Sequence, residues 1–442
     1  MRAFFISLSF NSANSMDIKK ENNKSGWLNK RGDKSPMYCS ISDSCLTMYD
    51  NEDKKNVSFQ IEMTADTQID IVPNSKGKSL IINSLSSDSL VLDAESSDEA
   101  SSWLETLKSH KKRLSMDDFT ILSVLGKGYY GKVLLVKHKI TGKLYAIKVI
   151  PKAKVIKSRQ LDIVFNEQAV LRKARNSKSS FIVNYKFAFQ TDTKFYFGLE
   201  YVPGGELFYH MNKVGTLPIE QAKLYIAEIA IAINNVHKLG YVYRDLKPEN
   251  VMLDAEGHVK LADFGLAIEK SIETNAFVGT TEYLAPEIVL RKNYGIEIDF
   301  WALGIMLFEM LTESTPYYCE DRKTMLNAIV TYAPFLKMVD DENARDLIAR
   351  LLIKDPAQRY TFEKLKNHKF FADLDWEKVE NKLYTPKFVP HCKDMKGLEN
   401  VDSRITNLPA IDSDNDEVCE YFEDFSDEGE LLDDEHINNY SY

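Results

Sequence analysis

The chain has 442 residues, of which 44% are hydrophobic and 28% are charged, a composition that excludes a wholly disordered, collagen-like or coiled-coil protein. Its apolar runs fall short of the roughly 18 residues that a transmembrane helix needs. The net charge of −10 arises at one end, because residues 409–442 contain thirteen Asp or Glu and no Lys or Arg. The rest is close to neutral, so bulk charge does not support nucleic-acid binding.

The cysteines and the N-terminus indicate the cellular compartment. The five cysteines are scattered and contain no C-x-x-C pair, which predicts neither a disulfide framework nor a zinc site and favours a reducing cytoplasm. Residues 3–10 faintly resemble a secretion signal, but the apolar stretch is short and no small-residue cleavage pattern follows. We therefore interpret residues 1–24 as a disordered leader.

Residues 25–111 alternate short β-prone runs with polar turns. Strands are predicted over 38–41, 45–49, 79–82 and 89–92. A helix is predicted over 97–110, because its apolar residues recur every three or four positions. Several strands followed by one helix predict a small antiparallel barrel or sandwich capped by that helix.

After a linker at 112–118, a second domain is predicted over 119–371, with strands first and long helices later. The clearest helix covers 217–239, with Pro218 near its start and Gly240 at its end. Residues 372–442 show little periodicity and several prolines, which indicates an extended tail that lies over a domain. The predicted fold class is thus multidomain α+β.

A glycine pattern opens the second domain, Gly126-x-Gly128-x-x-Gly131-x-Val133. Such glycines let backbone amides approach phosphate oxygens, but the same spacing also begins Rossmann folds. Here a strand is predicted at 132–137 after the glycines, where a Rossmann fold has a helix. The loop is therefore expected to join two antiparallel strands and cover a nucleotide as a flap.

A lysine lies inside the next apolar strand, in Tyr145-Ala146-Ile147-Lys148-Val149. A lysine there must reach a negative charge or extend to solvent, because an unpaired buried charge is costly. The candidate partners are a nucleotide phosphate and Glu167, which lies in a predicted helix.

Three further motifs follow in order: YRDLKPEN at 243–250, DFG at 263–265 and APE at 285–287. With the glycine loop and the strand lysine, they resemble the protein kinases over about 250 residues. The resemblance implies a bilobal kinase fold, ATP as the phosphoryl donor and Mg²⁺ as the metal. Residues implied to contact the nucleotide are Gly126, Gly128, Gly131, Val133, Ala146, Lys148, Glu200, Val202 and Glu206.

The resemblance also implies catalytic roles. Lys148 would hold phosphates and pair with Glu167, while Asn250 and Asp263 would bind Mg²⁺. Asp245 would accept or orient the proton of the substrate hydroxyl. Lys247 would contact the transferred phosphoryl group, and its motif favours Ser/Thr over Tyr as the acceptor.

The kinase-like segments and the tail resemble the AGC group of protein kinases. The tail sequence at 386–390, PKFVP, is similar to a P-x-F-x-P stretch of that group. Residues 422–426 resemble its hydrophobic motif, which implies that Phe422 and Phe425 dock beside a small-lobe helix and that an upstream kinase phosphorylates Ser426. Asp427 departs from the pattern, because an aromatic residue is usual there. The alternative is a disordered acidic tail.

The N-terminal segment begins GWLNKRG at 26–32 and closes on a helix with Trp103, which resembles a pleckstrin-homology domain. This domain before an AGC kinase resembles the protein kinase B (Akt) family, which implies phosphoinositide contact and recruitment to the plasma membrane. However, Ser35 and Met37 occupy positions where that family has arginines. Tight trisphosphate binding needs several charge-assisted bonds, so weaker membrane contact and a protein-interaction or autoinhibitory role are both open.

The predicted activation loop, 263–287, departs from the family in three places. Ala276 occupies the position of the usual phosphorylated Thr, and Ile163 and Ile268 replace two basic partners of its phosphate. We therefore expect apolar contacts, and not loop phosphorylation, to hold this loop.

Two further predictions concern polar residues of this region. Arg244 is expected to pair with a local carboxylate, for which Glu273 is the candidate. Thr274 is the alternative phosphorylation site.

Three glutamates indicate the preferred substrate. Glu206, Glu249 and Glu309 match acidic positions that bind Arg residues preceding the phosphorylated residue in basophilic relatives. Glu206 is alternatively a ribose ligand, and all three could simply face solvent. The expected function is Ser/Thr phosphorylation of proteins with basic motifs; the rival functions are an inactive kinase-fold scaffold and a lipid-sensing adaptor.

Overall fold

A computed structural model describes residues 23–427, except 34, 66, 85–86, 129–130, 178, 394–395, 413–416 and 423. These residues divide into two compact units between Leu114 and Ser115, each with its own hydrophobic core. Among them, no helix combines the length and the apolar composition needed to cross a bilayer. The tail beyond 427 and residues 1–22 of the predicted leader lie outside the described residues.

The first unit is an antiparallel sheet of seven strands with one helix, as predicted. The strand order is β4-β3-β2-β1-β7-β6-β5, and α1 packs on β5 and β6. Trp103 and Leu107 of α1 are fully buried, which explains why the apolar spacing of this helix was a good guide. The elements are β1 (Lys24–Lys30), β2 (Met37–Ser42), β3 (Cys45–Tyr49), β4 (Val57–Glu62), β5 (Gln68–Ile71), β6 (Ser79–Ser84), β7 (Ser87–Asp93) and α1 (Ser97–Ser109).

The prediction of a leader reaching residue 24 is wrong at its end. Lys24 already belongs to β1, where it is opposite Ile41 of β2. Its Nζ also lies 4.9 Å from the centre of the Trp103 ring. A cross-strand partner and a cation–π contact thus order this residue.

The small lobe of the second unit is a five-stranded antiparallel sheet in the order β11-β12-β10-β9-β8. Lys148 on β10 is opposite Val133 of β9 and Phe197 of β12, which places it in the centre of the sheet. The elements are β8 (Phe119–Lys127), β9 (Lys132–His138), β10 (Leu144–Pro151), α2 (Lys152–Lys157), α3 (Leu161–Ser177), β11 (Tyr185–Gln190) and β12 (Lys194–Glu200).

The large lobe is built around two buried helices, α5 and α7. Helix α5 follows Pro218, and the chain leaves it through Gly240, whose φ of 93° suits glycine, as the sequence predicts. The helices are α4 (Leu207–Val214), α5 (Ile219–Lys238), α6 (Pro286–Val289), α7 (Glu297–Thr312), α8 (Arg322–Thr331), α9 (Glu342–Leu351) and α10 (Phe362–Lys366). Four short strands complete it: β13 (Tyr241–Val242), β14 (Val251–Leu253), β15 (Val259–Leu261) and β16 (Ile268–Glu269).

The tail runs along this unit with two short helices, α11 (Trp376–Glu380) and α12 (Ser403–Thr406). The side chain of Gln221 on α5 accepts a hydrogen bond from the backbone of Lys387 at 2.7 Å. On the small lobe, Asp412 lies 2.8 Å from Nζ of Lys194, in an ion pair that is almost fully buried. The prediction of an extended tail over a domain is therefore confirmed for the described residues.

Candidate active site

The glycine turn joins β8 to β9 at the mouth of a cleft. The backbone N–H of Gly128 donates to the carbonyl oxygen of Gly131 at 2.8 Å. A Cβ atom at Gly131 would lie 1.8 Å from the carbonyl oxygen of Val149, so only glycine fits against β10 there. Because a strand follows the glycines, the turn is a hairpin flap and not the opening of a Rossmann helix.

Lys148, on the small-lobe sheet, contacts Glu167 of α3 and Asp263 on the other side of the cleft. Its Nζ lies 2.7 Å from Oε1 of Glu167 on α3 and 3.1 Å from Oδ1 of Asp263. Burial lowers the pKa of Lys148, but the two carboxylates more than offset burial and raise the pKa above its ordinary value. Lys148 in turn lowers the pKa of Asp263. The ammonium group and the Asp263 carboxylate therefore stabilise each other in their charged forms.

Asp245 is held in a network of hydrogen bonds on the large lobe. The amide nitrogen of Asn250 donates to its Oδ2 at 3.0 Å, and the hydroxyl of Thr280 donates to its Oδ1 at 3.0 Å. Nζ of Lys247 lies 3.0 Å from both Oδ2 of Asp245 and the Thr280 hydroxyl. The carboxylate is thereby oriented by three side chains.

The backbone beside Asp245 is positioned by the buried Asp299 of α7. Asp299 accepts hydrogen bonds from the N–H groups of Tyr243 and Arg244, both at 2.9 Å, and its Oδ2 lies 2.7 Å from His237. Arg244 has a φ of 71°, a conformation that costs a non-glycine residue free energy. The carboxylate of Asp299 offsets that cost.

Asn250 and Asp263 are the residues expected to bind a metal. Each lies next to Asp245 or Lys148 in the networks above, and each offers a hard oxygen ligand. Mg²⁺ is usually held by one or two protein oxygens together with substrate phosphates, so this pair fits a metal that arrives with a nucleotide. Among the described residues, no cluster of three or more His, Cys, Asp or Glu forms a metal site.

Most of the predicted nucleotide residues line one cleft cavity of about 470 Å³. Gly128 and Gly131 are not among its lining residues and only shape the flap. The predicted residues that line it are Gly126, Val133, Ala146, Lys148, Glu200, Val202 and Glu206.

The tail also lines this cleft, which the sequence analysis missed. Val401 and Ile405 contribute apolar surface from the segment around α12. Asn400 fixes the segment by donating to the carbonyl oxygen of Pro203 at 3.1 Å. The available signal was weak, consisting of two aliphatic residues four positions apart in an otherwise polar stretch.

The three glutamates of the expected substrate site lie close enough to interact electrostatically. Burial, and then the negative charge of Glu249, raise the pKa of Glu206 to about 7. Burial also raises the pKa of Glu309, whose carboxylate accepts a hydrogen bond from Tyr283. The three side chains therefore form an acidic patch beside the catalytic loop and do not simply face solvent.

The contacts of Arg244 and Glu273 differ from the predicted ion pair between them. Glu273 does not pair with Arg244; it accepts a hydrogen bond from Asn293 at 3.3 Å. Arg244 instead donates to the carbonyl oxygen of Leu266 at 2.6 Å and to the hydroxyl of Tyr294 at 3.2 Å. The carboxylate prediction is wrong because these oxygens already lie within reach of the guanidinium.

Apolar contacts contribute to the loop but do not hold it alone. Ile268 and Phe277 pack against the core of the unit. The Phe277 ring also lies 4.7 Å from the guanidinium of Arg291 and 5.6 Å from that of Arg322. The Thr274 hydroxyl accepts from the N–H of Ala276 at 3.3 Å. The prediction of a loop held by apolar contacts is therefore incomplete.

The two phenylalanines at 422 and 425 insert between α3 and the small-lobe sheet. Phe425 is fully buried, with its ring centre 4.4 Å from that of Phe195. Phe165 on α3 contacts both rings, at 5.7 and 6.1 Å. The backbone oxygen of Phe425 accepts a hydrogen bond from Gln168. The alternative of a tail with incidental aromatics does not agree with this packing.

The residues after the phenylalanines continue the contact. The backbone of Asp427 exchanges two hydrogen bonds of 2.7 Å with Ala188 on β11. Its carboxylate lies 3.0 Å from Nε of Arg172 on α3. The hydroxyl of Ser426 lies 3.3 Å from that of Tyr421. The acidic residue at 427 thus makes an ion pair in place of the aromatic contact that is usual in the family.

The basic residues near the start of the first unit are partly engaged. Arg31 lies 3.1 Å from Asp93 and 3.2 Å from the hydroxyl of Ser79. Nζ of Lys30 lies 5.0 Å from the centre of the Phe59 ring. Lys34, the third basic residue here, lies outside the described residues. An anion at this surface would have to compete with Asp93 for Arg31.

Comparisons with known proteins agree with this geometry. A family model described as "Protein kinase domain" matches residues 119–371, and one described as "PH domain" matches residues 22–112. The chain is 41% identical over 311 residues to serine/threonine-protein kinase YPK1 of Saccharomyces cerevisiae, covering 69% of this chain and 45% of that protein. It therefore spans less than half the length of this relative.

Two further relatives are similar over the same extent of the chain. Serine/threonine-protein kinase Sgk1 of Xenopus tropicalis is 40% identical over 67% of this chain and 72% of its own length. Serine/threonine-protein kinase gad8 of Schizosaccharomyces pombe is 40% identical over 68% of this chain and 53% of its own. The chain belongs to the protein kinase family, and its relatives are AGC serine/threonine kinases.

Proposed function

We propose that this chain transfers the γ-phosphoryl group of ATP to Ser or Thr hydroxyls of proteins. The observation that carries the proposal is the assembled set of Lys148, Glu167 and Asp263, joined by contacts of 2.7 and 3.1 Å across the cleft. Phosphoryl transfer needs positioning and charge neutralisation more than covalent help, and these groups supply both. A scaffold without activity would not require them.

The roles that the resemblance to protein kinases implies for these residues are supported by their positions. Lys148 would bind the ATP phosphates, because its charge is maintained by two carboxylates. Asp245 would accept the proton of the acceptor hydroxyl, and Lys247 beside it would neutralise charge on the transferred group. Asn250 and Asp263 would hold Mg²⁺, which supplies charge neutralisation at the phosphates when it is bound.

The first experiment is phosphate transfer from ATP and Mg²⁺ to an Arg-x-x-Ser peptide by the unphosphorylated recombinant chain. We expect activity that is lost in Asp263→Asn. Asp340→Asn, an exposed carboxylate of the large lobe, is the matched control and should remain active. Wild-type protein that binds ATP but transfers no phosphate, with or without phosphate on Ser426 and Thr274, would support the scaffold and overturn the proposal.

We propose a preference for Arg before the phosphorylated residue, supported by the patch of Glu206, Glu249 and Glu309. A planar guanidinium forms two parallel hydrogen bonds with the two oxygens of one carboxylate. A hydroxyl or an amide in place of the carboxylate does not offer that pair of oxygens. Glu249 of this patch lies four residues after Asp245 in the catalytic loop, and its charge acts on both Glu206 and Glu309.

A pH dependence tests the role of Glu206. Its pKa of about 7 means that the carboxylate, which binds Arg, is lost as the pH falls through neutrality. Between pH 8 and pH 6 the KM for the Arg peptide should rise about tenfold, since roughly a tenth of the carboxylates remain ionised at pH 6. Glu206→Gln should raise the KM and abolish its pH dependence.

The nucleotide supplies the control for this prediction. If Glu206 binds the ribose of ATP, the same pH change will raise the KM for ATP and leave that for the peptide unchanged. A peptide with Ala in place of Arg should show no pH-dependent KM in either case. A flat KM for the Arg peptide would contradict the proposed contact.

We propose that the hydrophobic motif activates the kinase by docking on α3, and that an upstream kinase strengthens docking by phosphorylating Ser426. Phe425→Ala should weaken docking by about 3–5 kcal/mol, because a fully buried ring is lost. The expected result is a fall in kcat of at least about tenfold, with faster proteolysis of the tail. Val418→Ala, at a largely exposed tail position, is the control. If kcat is unchanged in Phe425→Ala, docking of the hydrophobic motif does not activate the kinase, and this proposal is wrong.

For the first unit we propose an Akt-type arrangement, with a cytoplasmic chain that contacts phosphoinositide membranes weakly. The support is the PH match at 22–112 and the basic Lys30 and Arg31, while the Arg31–Asp93 pair limits affinity. The full chain should cosediment with vesicles containing phosphatidylinositol trisphosphate only at low salt. No cosedimentation at any salt would favour a protein-interaction or autoinhibitory role.

A further inference from the structure

Tyr294 lies outside the activation loop but is bonded to it at two points. Its hydroxyl donates to the carbonyl oxygen of Ala276 at 3.0 Å. Its backbone N–H donates to the carbonyl oxygen of Thr274 at 3.2 Å, in an isolated antiparallel bridge. One residue therefore fixes the central part of the loop through both its backbone and its side chain.

The same hydroxyl reaches the catalytic loop. It accepts a hydrogen bond from the guanidinium of Arg244 at 3.2 Å. Arg244 is the neighbour of Asp245, and its remaining contacts are with Leu266 at 2.6 Å and, through its N–H, with Asp299. The Tyr294 hydroxyl is thus the atom through which Ala276 and Arg244 are joined.

The partners of the Arg244 side chain are neutral oxygens, which is unusual for a guanidinium. A guanidinium carries a permanent charge and five donors, and it binds carboxylates and phosphates most strongly. Among the described residues, Arg244 forms no ion pair, and its side chain donates to a carbonyl oxygen and a phenol oxygen. Positions 163 and 268, where the resemblance to AGC kinases implies basic partners of a loop phosphate, hold Ile163 and Ile268.

We propose that Tyr294 is a positioning residue that orients Arg244, and with it Asp245, so that the activation loop is organised without a phosphate. This inference rests on the proposed kinase function. Among the described residues that line the nucleotide cleft, Tyr294 does not occur. Its effect on phosphoryl transfer is therefore indirect, through the strained backbone at Arg244.

The test is Tyr294→Phe in the full chain, which keeps the ring and removes only the hydroxyl. We expect kcat for the Arg-x-x-Ser peptide to fall about tenfold to hundredfold, with KM for ATP changed less than about twofold. Amide hydrogen exchange at 272–280 should become faster. Tyr332→Phe, at an exposed position of the large lobe, should leave kcat and exchange unchanged.

A rescue separates positioning from general destabilisation. In the Tyr294→Phe background, Ala276→Glu introduces a carboxylate on the residue whose carbonyl oxygen the Tyr294 hydroxyl had bonded at 3.0 Å, and that hydroxyl in turn lay 3.2 Å from Arg244. We expect it to restore at least half of the lost kcat. If Tyr294→Phe keeps kcat within about twofold of the wild type, or if Ala276→Glu restores nothing, the proposal is overturned.

Phosphate analysis gives a second measurement that does not depend on a variant. Mass spectrometry of the active wild-type chain should find residues 263–287 unphosphorylated. Treatment with a phosphatase should not reduce activity by removing phosphate from these residues. Phosphate at Thr274 whose removal abolishes activity would overturn the proposal. A wild-type chain without any transfer activity would instead overturn the proposed function. Amide hydrogen exchange at 272–280 would then still test whether Tyr294 holds the activation loop.

Discussion

Asp245→Asn should reduce kcat by about 10²- to 10⁴-fold while leaving the affinity for ATP and the melting temperature nearly unchanged. In the proposed function, the Asp245 carboxylate accepts the proton of the acceptor hydroxyl. An amide of the same shape cannot accept it. It would also present an NH₂ group to Asn250 or Thr280, both of which donate to Asp245 in the native structure.

The measurement for Asp245→Asn is steady-state transfer to the Arg-x-x-Ser peptide, together with calorimetric binding of ATP. Asp340→Asn again serves as the matched control, because that side chain is exposed. A variant that retains more than about a tenth of the wild-type kcat would show that positioning and charge neutralisation suffice without a base.

Glu287→Gln should destabilise the kinase unit by about 3–5 kcal/mol, since it leaves the charge of Arg359 buried without a counter-ion. The two side chains are 3% and 1% exposed, and they form two parallel hydrogen bonds of 2.6 and 2.9 Å. Thermal unfolding should show a decrease in melting temperature on the order of 10 °C. Glu363→Gln, on the exposed side of α10, should change it little.

A double variant distinguishes the buried charge from the lost contact. In Glu287→Leu with Arg359→Met, no charge remains buried, so much of the stability lost in Glu287→Gln should return. If the double variant is less stable than Glu287→Gln, the hydrogen bonds of Arg359 to the backbone of Ile353 and Glu297 contribute more than the pair itself.

Much of the fold could be predicted from local patterns, whereas the candidate catalytic residues were predicted from the resemblance of short motifs to protein kinases. Helix α5 follows from its apolar periodicity between Pro218 and Gly240, and the predicted bounds differ from the observed ones by two residues at the start and one at the end. The hairpin after the glycine loop follows from the β-prone residues at 132–137. Such features depend on residues within a turn or two of one another, so no distant contact is needed to recognise them.

The partners of Arg244 could not be predicted in the same way, and the docking of Phe422 and Phe425 was predicted from the family resemblance and not from a local pattern. Arg244 and Tyr294 are 50 residues apart, and nothing in the local pattern distinguishes Tyr294 from Glu273 as the partner. The contact between Gln168 and Phe425 spans 257 residues. Which groups meet over such separations depends on how helices and strands pack, and on the free energy of all their contacts together.

The amino-acid sequence by itself determined the order and identity of the candidate site residues that the resemblance to protein kinases implies: the glycines of the flap, Lys148, Asp245, Asn250 and Asp263. This is possible because each residue lies in a short motif of neighbouring residues, which can be matched to the family without knowledge of distant contacts. Only the tertiary structure decided that a tail segment with Val401 lines the cleft and that Tyr294 joins two loops. Those contacts depend on chain segments that approach each other only when both lobes and the tail have packed.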